Sequence, residues 1–196
     1  MMDDKSVVID EIIVFLNGEK IKAQVGQTIW QVAKQQNVEI PHLCYRNENS
    51  YRADGNCRAC MVEIEGERTL VASCQRRITD GMVINTNSLR VRNSQKLIVE
   101  LLLSDQPDRK DSHDHNSHFW RIAEINGVEK SRFPSKLGVK ADNSHPAIAV
   151  NMDSCIQCGL CVRACREVQV NDVIGMAGRG ADAHIVFDFN DEMGAS

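Results

Sequence analysis

Eight cysteines divide into two groups of four, and this division constrains the fold of the chain more than any other feature of its sequence. The first group is Cys44, Cys57, Cys60 and Cys74, and the second is Cys155, Cys158, Cys161 and Cys165. The N-terminal residues are acidic, whereas a secretory signal begins with basic residues, so we expect a cytoplasmic chain. In that reducing environment metal or redox chemistry is favoured over disulfides. The grouping therefore predicts two metal sites rather than scattered core thiols.

The first group has the arrangement of a plant-type [2Fe–2S] site, in which a C-x2-C pair is joined by one nearby and one remote cysteine. Cys57 and Cys60 form the pair, and Gly55 just before it permits a close approach of the backbone. Structural zinc sites usually take cysteines as two C-x2-C pairs, whereas Cys44 and Cys74 are single. A thioredoxin-type redox pair would leave these two unexplained. The spacing favours a [2Fe–2S] cluster on all four cysteines.

The second group, C-I-Q-C-G-L-C-V-R-A-C-R at 155–166, has the ligand spacing of bacterial [4Fe–4S] ferredoxins. Its first three cysteines are predicted to hold three corners of a [4Fe–4S] cluster. The fourth cysteine of such a run ligates the other cluster of a two-cluster ferredoxin, so Cys165 is assigned to this cluster or to a second one. Zinc fits poorly, because four cysteines within eleven residues do not spread easily into tetrahedral pairs. Arg166 stands where proline normally ends the run.

The hydrophobic pattern around the first group predicts a β-grasp, ferredoxin-like domain over 6–88. Strands are predicted at 7–16, 19–25, 61–64, 70–72 and 82–85. Asn17-Gly18 supplies the tight turn of the first hairpin. A helix is predicted between Thr28 as its N-cap and Asn37 at its end.

The rest of the chain is predicted to be a helical and polar connector over 89–148 and a partial bacterial-type [4Fe–4S] ferredoxin-like domain over 149–196. Helices are predicted at 88–103 and 119–125, a polar connector at 104–118, and a strand at 147–152. The predicted fold class is α+β. His113, His115 and His118 lie on the polar connector and are interpreted as solvated residues rather than metal ligands.

Charge and hydropathy exclude several classes of function. The chain has 23 basic and 27 acidic residues, and its Lys and Arg residues do not cluster, so a nucleic-acid partner is not expected. The longest apolar run, 97–103, is short and contains Glu100, which predicts no direct membrane insertion. Arg58, Arg163 and Arg166 lie beside predicted ligands and are interpreted as surface ion-pairing residues rather than as residues that tune a cluster potential.

Two stretches carry a family resemblance, Pro41-His-Leu-Cys44-Tyr45 and Asp54-Gly-Asn-Cys57-Arg-Ala-Cys60-Met-Val. They resemble the N-terminal [2Fe–2S] domain of the large iron–sulfur subunit of NADH–quinone oxidoreductase. The same module occurs in the diaphorase small subunit of NAD-reducing hydrogenases and in the α subunit of NAD-dependent, molybdenum-type formate dehydrogenases. The loop from Cys44 to Cys57 is about two residues longer than in that family, a small entropic cost at a loop tip.

Residues 166–190 resemble the formate dehydrogenase α subunit after its first cubane motif. In the NADH–quinone oxidoreductase and hydrogenase subunits, the segment corresponding to 89–148 carries a further cluster on one histidine and three cysteines, whereas here it has no cysteine. The resemblance therefore implies the N-terminal part of a longer, apparently truncated formate dehydrogenase α subunit.

The resemblance implies an electron-transfer segment without a catalytic centre of its own. It would relay single electrons through the two clusters between a molybdopterin formate-oxidising domain and an NADH/FMN flavoprotein subunit. The first alternative is the diaphorase small subunit of an NAD-reducing hydrogenase or the large iron–sulfur subunit of NADH–quinone oxidoreductase. The alternative from another class is a zinc-stabilised interaction module.

Overall fold

A computed structural model of the protein describes residues 11–48, 51–135 and 141–195. It contains two compact units whose sequences are interleaved. The first unit comprises the described residues up to Ile40 together with Cys60–Asn93. The second comprises Pro41–Ala59 and the residues from Ser94 onward.

The first unit is a five-stranded sheet with one short helix. Its strands are β1 (Glu11–Leu16), β2 (Glu19–Gln24), β3 (Met61–Ile64), β4 (Val71–Ala72) and β5 (Val83–Asn85), in the order β2-β1-β5-β3-β4. β1 runs parallel to β5, and the other neighbouring strands are antiparallel. The predicted hairpin is confirmed, with positive φ angles at both Asn17 and Gly18; the part of its first strand at 7–10 lies outside the described residues.

Helix α1 (Ile29–Gln35) packs its apolar face into this unit, where Ile29, Val32 and Ala33 are buried. Thr28 forms a capping box: its hydroxyl accepts the backbone N–H of Gln31, and the Gln31 side chain accepts the backbone N–H of Thr28. The α+β fold predicted from the sequence is thus confirmed.

We expect Thr28→Ala to lower the free energy of unfolding by about 1 kcal/mol, because the substitution leaves an N-terminal amide of α1 without its acceptor. Urea denaturation followed by circular dichroism measures the change. Thr69→Ala, at an exposed position of the same unit, is the matched control and should have a smaller effect. Equal effects of the two substitutions would contradict the capping role.

Beyond the first unit's sheet, the chain forms several helices joined by irregular segments, followed by a small hairpin. Helix α2 spans Leu89–Leu103, α3 spans His118–Ile125, and the short α4 (Leu160–Arg163) continues into a π-helical turn at Ala164–Val168. Strands β6 (Ile174–Ala177) and β7 (His184–Phe187) then pair antiparallel. The predicted positions of α2 and α3 are confirmed to within one residue.

One sequence expectation in the second unit is wrong, and one hairpin of this unit was not predicted. The strand expected at 147–152 is reduced to an isolated bridge, in which Val150 and Asp142 exchange two backbone hydrogen bonds of 2.8 Å. The hairpin of β6 and β7 was not expected, because glycine and alanine interrupt the alternating pattern of β6. The polar connector is also partly folded, with a 3-10 turn at Arg109–Asp111 and a buried Ser112.

The core of the second unit is formed by apolar side chains from four segments of the chain. Its buried members are Leu43, Ala59, Val99, Leu103, Phe119, Trp120, Ile122, Ala123 and Val128. Cys57 and Ile156 pack against this core, which therefore supports residues of both cysteine groups. Across the described ranges, no helix is both long and apolar enough to cross a bilayer.

Candidate iron–sulfur sites

All eight cysteines are free thiols, but their exposure differs. The four buried ones are Cys44, Cys60, Cys74 and Cys165. Cys57, Cys155 and Cys158 are half-buried, and Cys161 is exposed. Burial shields a thiolate from water and from exchange with other ligands, which suits a ligand of a redox cluster.

The first cysteine group contributes two residues to each unit. In the second unit, the backbone N–H of Cys57 donates to Cys44 Sγ over 3.4 Å. In the first unit, the β3–β4 register places Cys60 opposite Ser73, whose N–H donates to the Cys60 carbonyl over 3.1 Å. Cys74 follows directly, so strand pairing sets the positions of Cys60 and Cys74 within their unit.

Cys44 and Cys57 differ in acidity. A hydrogen bond from the Cys44 thiol lowers the pKa of Cys57 to about 6, although burial opposes the shift. The same hydrogen bond, together with burial, raises the pKa of Cys44. The metal-free pair therefore holds one thiolate at neutral pH, and the second proton is released when a metal binds.

Left-handed backbone conformations recur beside the C-x2-C cysteines. Gly55 has φ +66° and Arg58 has φ +57° around Cys57, and Gln157 (φ +54°) and Gly159 (φ +71°) flank Cys158. Arginine and glutamine rarely adopt this region. Alternation of left- and right-handed residues turns successive N–H groups toward one side, which is how backbone nests bind anions, including iron–sulfur clusters. The conformation fits a cluster with a net negative charge.

The second cysteine group begins in an irregular segment and ends in a helix. Gly159 is the residue before α4, Cys161 lies within α4, and Cys165 lies in the π-helical turn. The backbone N–H of Val173 donates to Cys165 Sγ over 3.3 Å. Burial raises the pKa values of both Cys158 and Cys161, so metal binding must displace their protons.

The donor set fits iron–sulfur clusters. Among the described residues, no group of three or more histidine, cysteine or acidic side chains is arranged to hold a metal ion. The fit to clusters rests on the chemistry of the donors. Eight soft thiol donors, with backbone N–H groups directed at Cys44 and Cys165 sulfur, are the ligands that such clusters use.

The histidines of the connector are exposed, as expected. Two of them nevertheless make local contacts: His118 Nε2 lies 2.6 Å from the His42 carbonyl oxygen, and His115 Nε2 lies 3.1 Å from that of Lys110. The His118 contact joins the connector to the Pro41–Ala59 segment of the same unit, whereas the His115 contact lies within the connector.

The interpretation of Arg163 as a surface residue is wrong, because its side chain is buried. Its side chain is 5% exposed, whereas Arg166 is 58% exposed and forms a 2.7 Å ion pair with Asp172. Arg163 pairs with Asp54 over 3.1 Å. No pattern in the sequence signals this contact, since the two residues are more than a hundred positions apart.

Comparisons with known proteins match both cysteine-bearing segments. Residues 10–89 match the family described as a 2Fe-2S iron-sulfur cluster binding domain. Residues 145–195 match the ferredoxin-like domain of NADH-quinone oxidoreductase subunit 3.

Curated relatives and a solved structure resemble nearly the whole chain. The NADP-reducing hydrogenase subunit HndD of Solidesulfovibrio fructosivorans is 33% identical over 91% of this chain and 32% of the relative. The NADH-ubiquinone oxidoreductase 75 kDa subunit of Reclinomonas americana is 34% identical over 88% of this chain and 25% of the relative. A chain from the crystal structure of NAD+-reducing [NiFe]-hydrogenase in the H2-reduced state has a TM-score of 0.79 and 25% identity, covering 93% of this chain and 79% of that one.

The fold, the two cysteine groups and these matches define an iron–sulfur electron-transfer segment of the kind found in NADH-dehydrogenase modules. Its cofactors are a [2Fe–2S] and a [4Fe–4S] cluster. The two matched segments are similar to iron–sulfur domains of the 75 kDa-type subunits of NADH-quinone oxidoreductases and of NAD-reducing hydrogenase subunits. The chain spans between a third and a quarter of the length of these curated relatives.

Proposed function

We propose that this chain relays single electrons within an NAD-linked oxidoreductase, between a flavoprotein subunit that exchanges electrons with NAD and a second catalytic module. The observation that carries this proposal is the coincidence of each cysteine group with one matched domain: residues 44–74 fall within 10–89, and residues 155–165 fall within 145–195. Each matched domain thus contains one of the two groups of four thiols.

The proposed ligands of the [2Fe–2S] cluster are Cys44, Cys57, Cys60 and Cys74. Those of the [4Fe–4S] cluster are Cys155, Cys158 and Cys161, with Cys165 bound to the same cluster or to a second one. When bound, such clusters accept and release one electron at a time. The protein holds the thiolates, donates N–H groups to sulfur and limits the access of water, and these three contributions set reduction potentials.

For the second module, we propose a molybdopterin domain that oxidises formate. This rests on the resemblance of residues 166–190 to formate dehydrogenase α subunits and on the absence of cysteine from 89–148. An NAD-reducing hydrogenase is the competing candidate, supported by the structural similarity to a chain of the [NiFe]-hydrogenase over nearly the whole of this chain.

Anaerobic purification with iron, sulfide and zinc analysis tests the electron-relay proposal. We expect about six iron atoms per chain and two distinct EPR signals after reduction. A colourless protein with stoichiometric zinc and no signal from a reduced cluster would instead establish the zinc-stabilised interaction module.

The substrate is tested with the complex isolated from its native host. Formate is expected to reduce both clusters in the absence of NADH, whereas reduction by hydrogen but not by formate would favour the hydrogenase. NADH should reduce the clusters in either case, and it therefore controls for intact cofactors.

A further inference from the structure

The guanidinium group of Arg163 contacts the backbones of two cysteines that belong to different groups. Nη2 donates to the Cys44 carbonyl over 2.6 Å and to the Cys158 carbonyl over 3.3 Å. Nη1 donates to the Arg52 carbonyl over 2.6 Å. All four residues lie in the second unit. One side chain therefore joins a proposed [2Fe–2S] ligand to a proposed [4Fe–4S] ligand.

The Nε side of the same group faces Asp54, whose carboxylate also pairs with the exposed Arg52 over 3.0 Å. Arg52 is in turn 3.9 Å from Glu167. Asp54 is thus bound at Nε of the guanidinium, while Nη2 is directed at the cysteine carbonyls. Arg163 itself is buried and therefore shielded from screening water, whereas Arg52 is exposed.

We propose that Arg163 is a positioning residue that couples the two clusters, so that their spacing and their reduction potentials depend on one buried guanidinium. The inference rests on the proposed cluster ligands. Because reduction adds negative charge to a cluster, a buried positive charge nearby stabilises the reduced form. Because its Nη2 atom donates to both cysteine carbonyls, the guanidinium also fixes the two ligand-bearing segments relative to each other within their unit.

The test is an EPR-monitored redox titration of Arg163 variants in the full chain. Arg163→Met removes the buried positive charge, while Asp54 keeps its ion pair with Arg52. We expect this variant to retain both clusters, with both midpoint potentials shifted to more negative values. Arg163→Lys, which keeps the charge but loses the fork, should shift the potentials less and should alter the magnetic interaction between the reduced clusters.

Arg166→Met is the matched control, since it removes an exposed charge next to Cys165 in the sequence. We expect a smaller shift from it, because solvent screens that charge. The inference is overturned if Arg163→Met keeps wild-type potentials, if only one cluster shifts, or if Arg166→Met shifts both equally. Loss of iron with unchanged potentials in the remaining clusters would show a merely structural role and also overturn it. Failure of the wild-type protein to show two clusters would instead refute the proposed function.

Discussion

Cys74→Ser is expected to abolish the [2Fe–2S] EPR signal while the [4Fe–4S] signal remains. Cys74 is 1% exposed, and no other cysteine of the chain lies between it and Cys155 to replace it. Serine oxygen is a harder ligand that soft iron–sulfur clusters do not favour. We expect iron content to fall by about a third, since the plant-type cluster holds two of roughly six iron atoms. Anaerobic EPR and iron analysis measure both effects.

The neighbouring residue provides a control for this substitution. Ser73 is completely buried, and its hydroxyl has no hydrogen-bond partner among the described residues. Ser73→Ala therefore removes an unsatisfied polar group and should leave iron content and stability at or above the wild-type values. Retention of the [2Fe–2S] signal in Cys74→Ser would contradict the proposed ligand set.

Trp120→Ala is expected to lower the free energy of unfolding by about 3–5 kcal/mol, because it empties the largest side-chain volume of the second unit's core. Trp120 is 5% exposed, and its indole N–H donates to the Ser112 hydroxyl over 3.2 Å. The substitution also leaves that hydroxyl without its donor. Denaturation in urea under anaerobic conditions measures the loss.

The same substitution should reduce cluster retention, because Cys57 and Ile156 pack against this core. Ile125→Ala, at a 63% exposed position of the same helix, is the control and should change stability by less than about 0.5 kcal/mol. A Trp120 variant with near-wild-type stability would show that 89–148 is only a connector, as the sequence suggested, rather than part of the unit's core.

Much of the fold was predictable from local patterns. Asn17 and Gly18 predict the turn because both tolerate the positive φ angles that it requires. Thr28 predicts the helix start because its hydroxyl accepts a backbone N–H of the first turn. Helices α2 and α3 follow from helical periodicity. The hairpin of β6 and β7 was missed, since pairing between strands stabilises short segments whose own composition is weakly strand-like.

In the candidate sites, too, local sequence patterns predicted some features and only the tertiary structure showed others. Cysteine spacing alone predicted both ligand sets, because cluster chemistry demands thiolates at short, regular intervals and few other structures do. The burial of Arg163 and its contacts with Asp54, Cys44 and Cys158 appear only in the folded unit. These contacts join residues separated by 119 positions in the longest case, a distance over which sequence carries no periodic signal. Packing removes water from the guanidinium and leaves backbone carbonyls and Asp54 as its partners. For this reason an arginine that the sequence placed on the surface is a buried link between the two proposed sites.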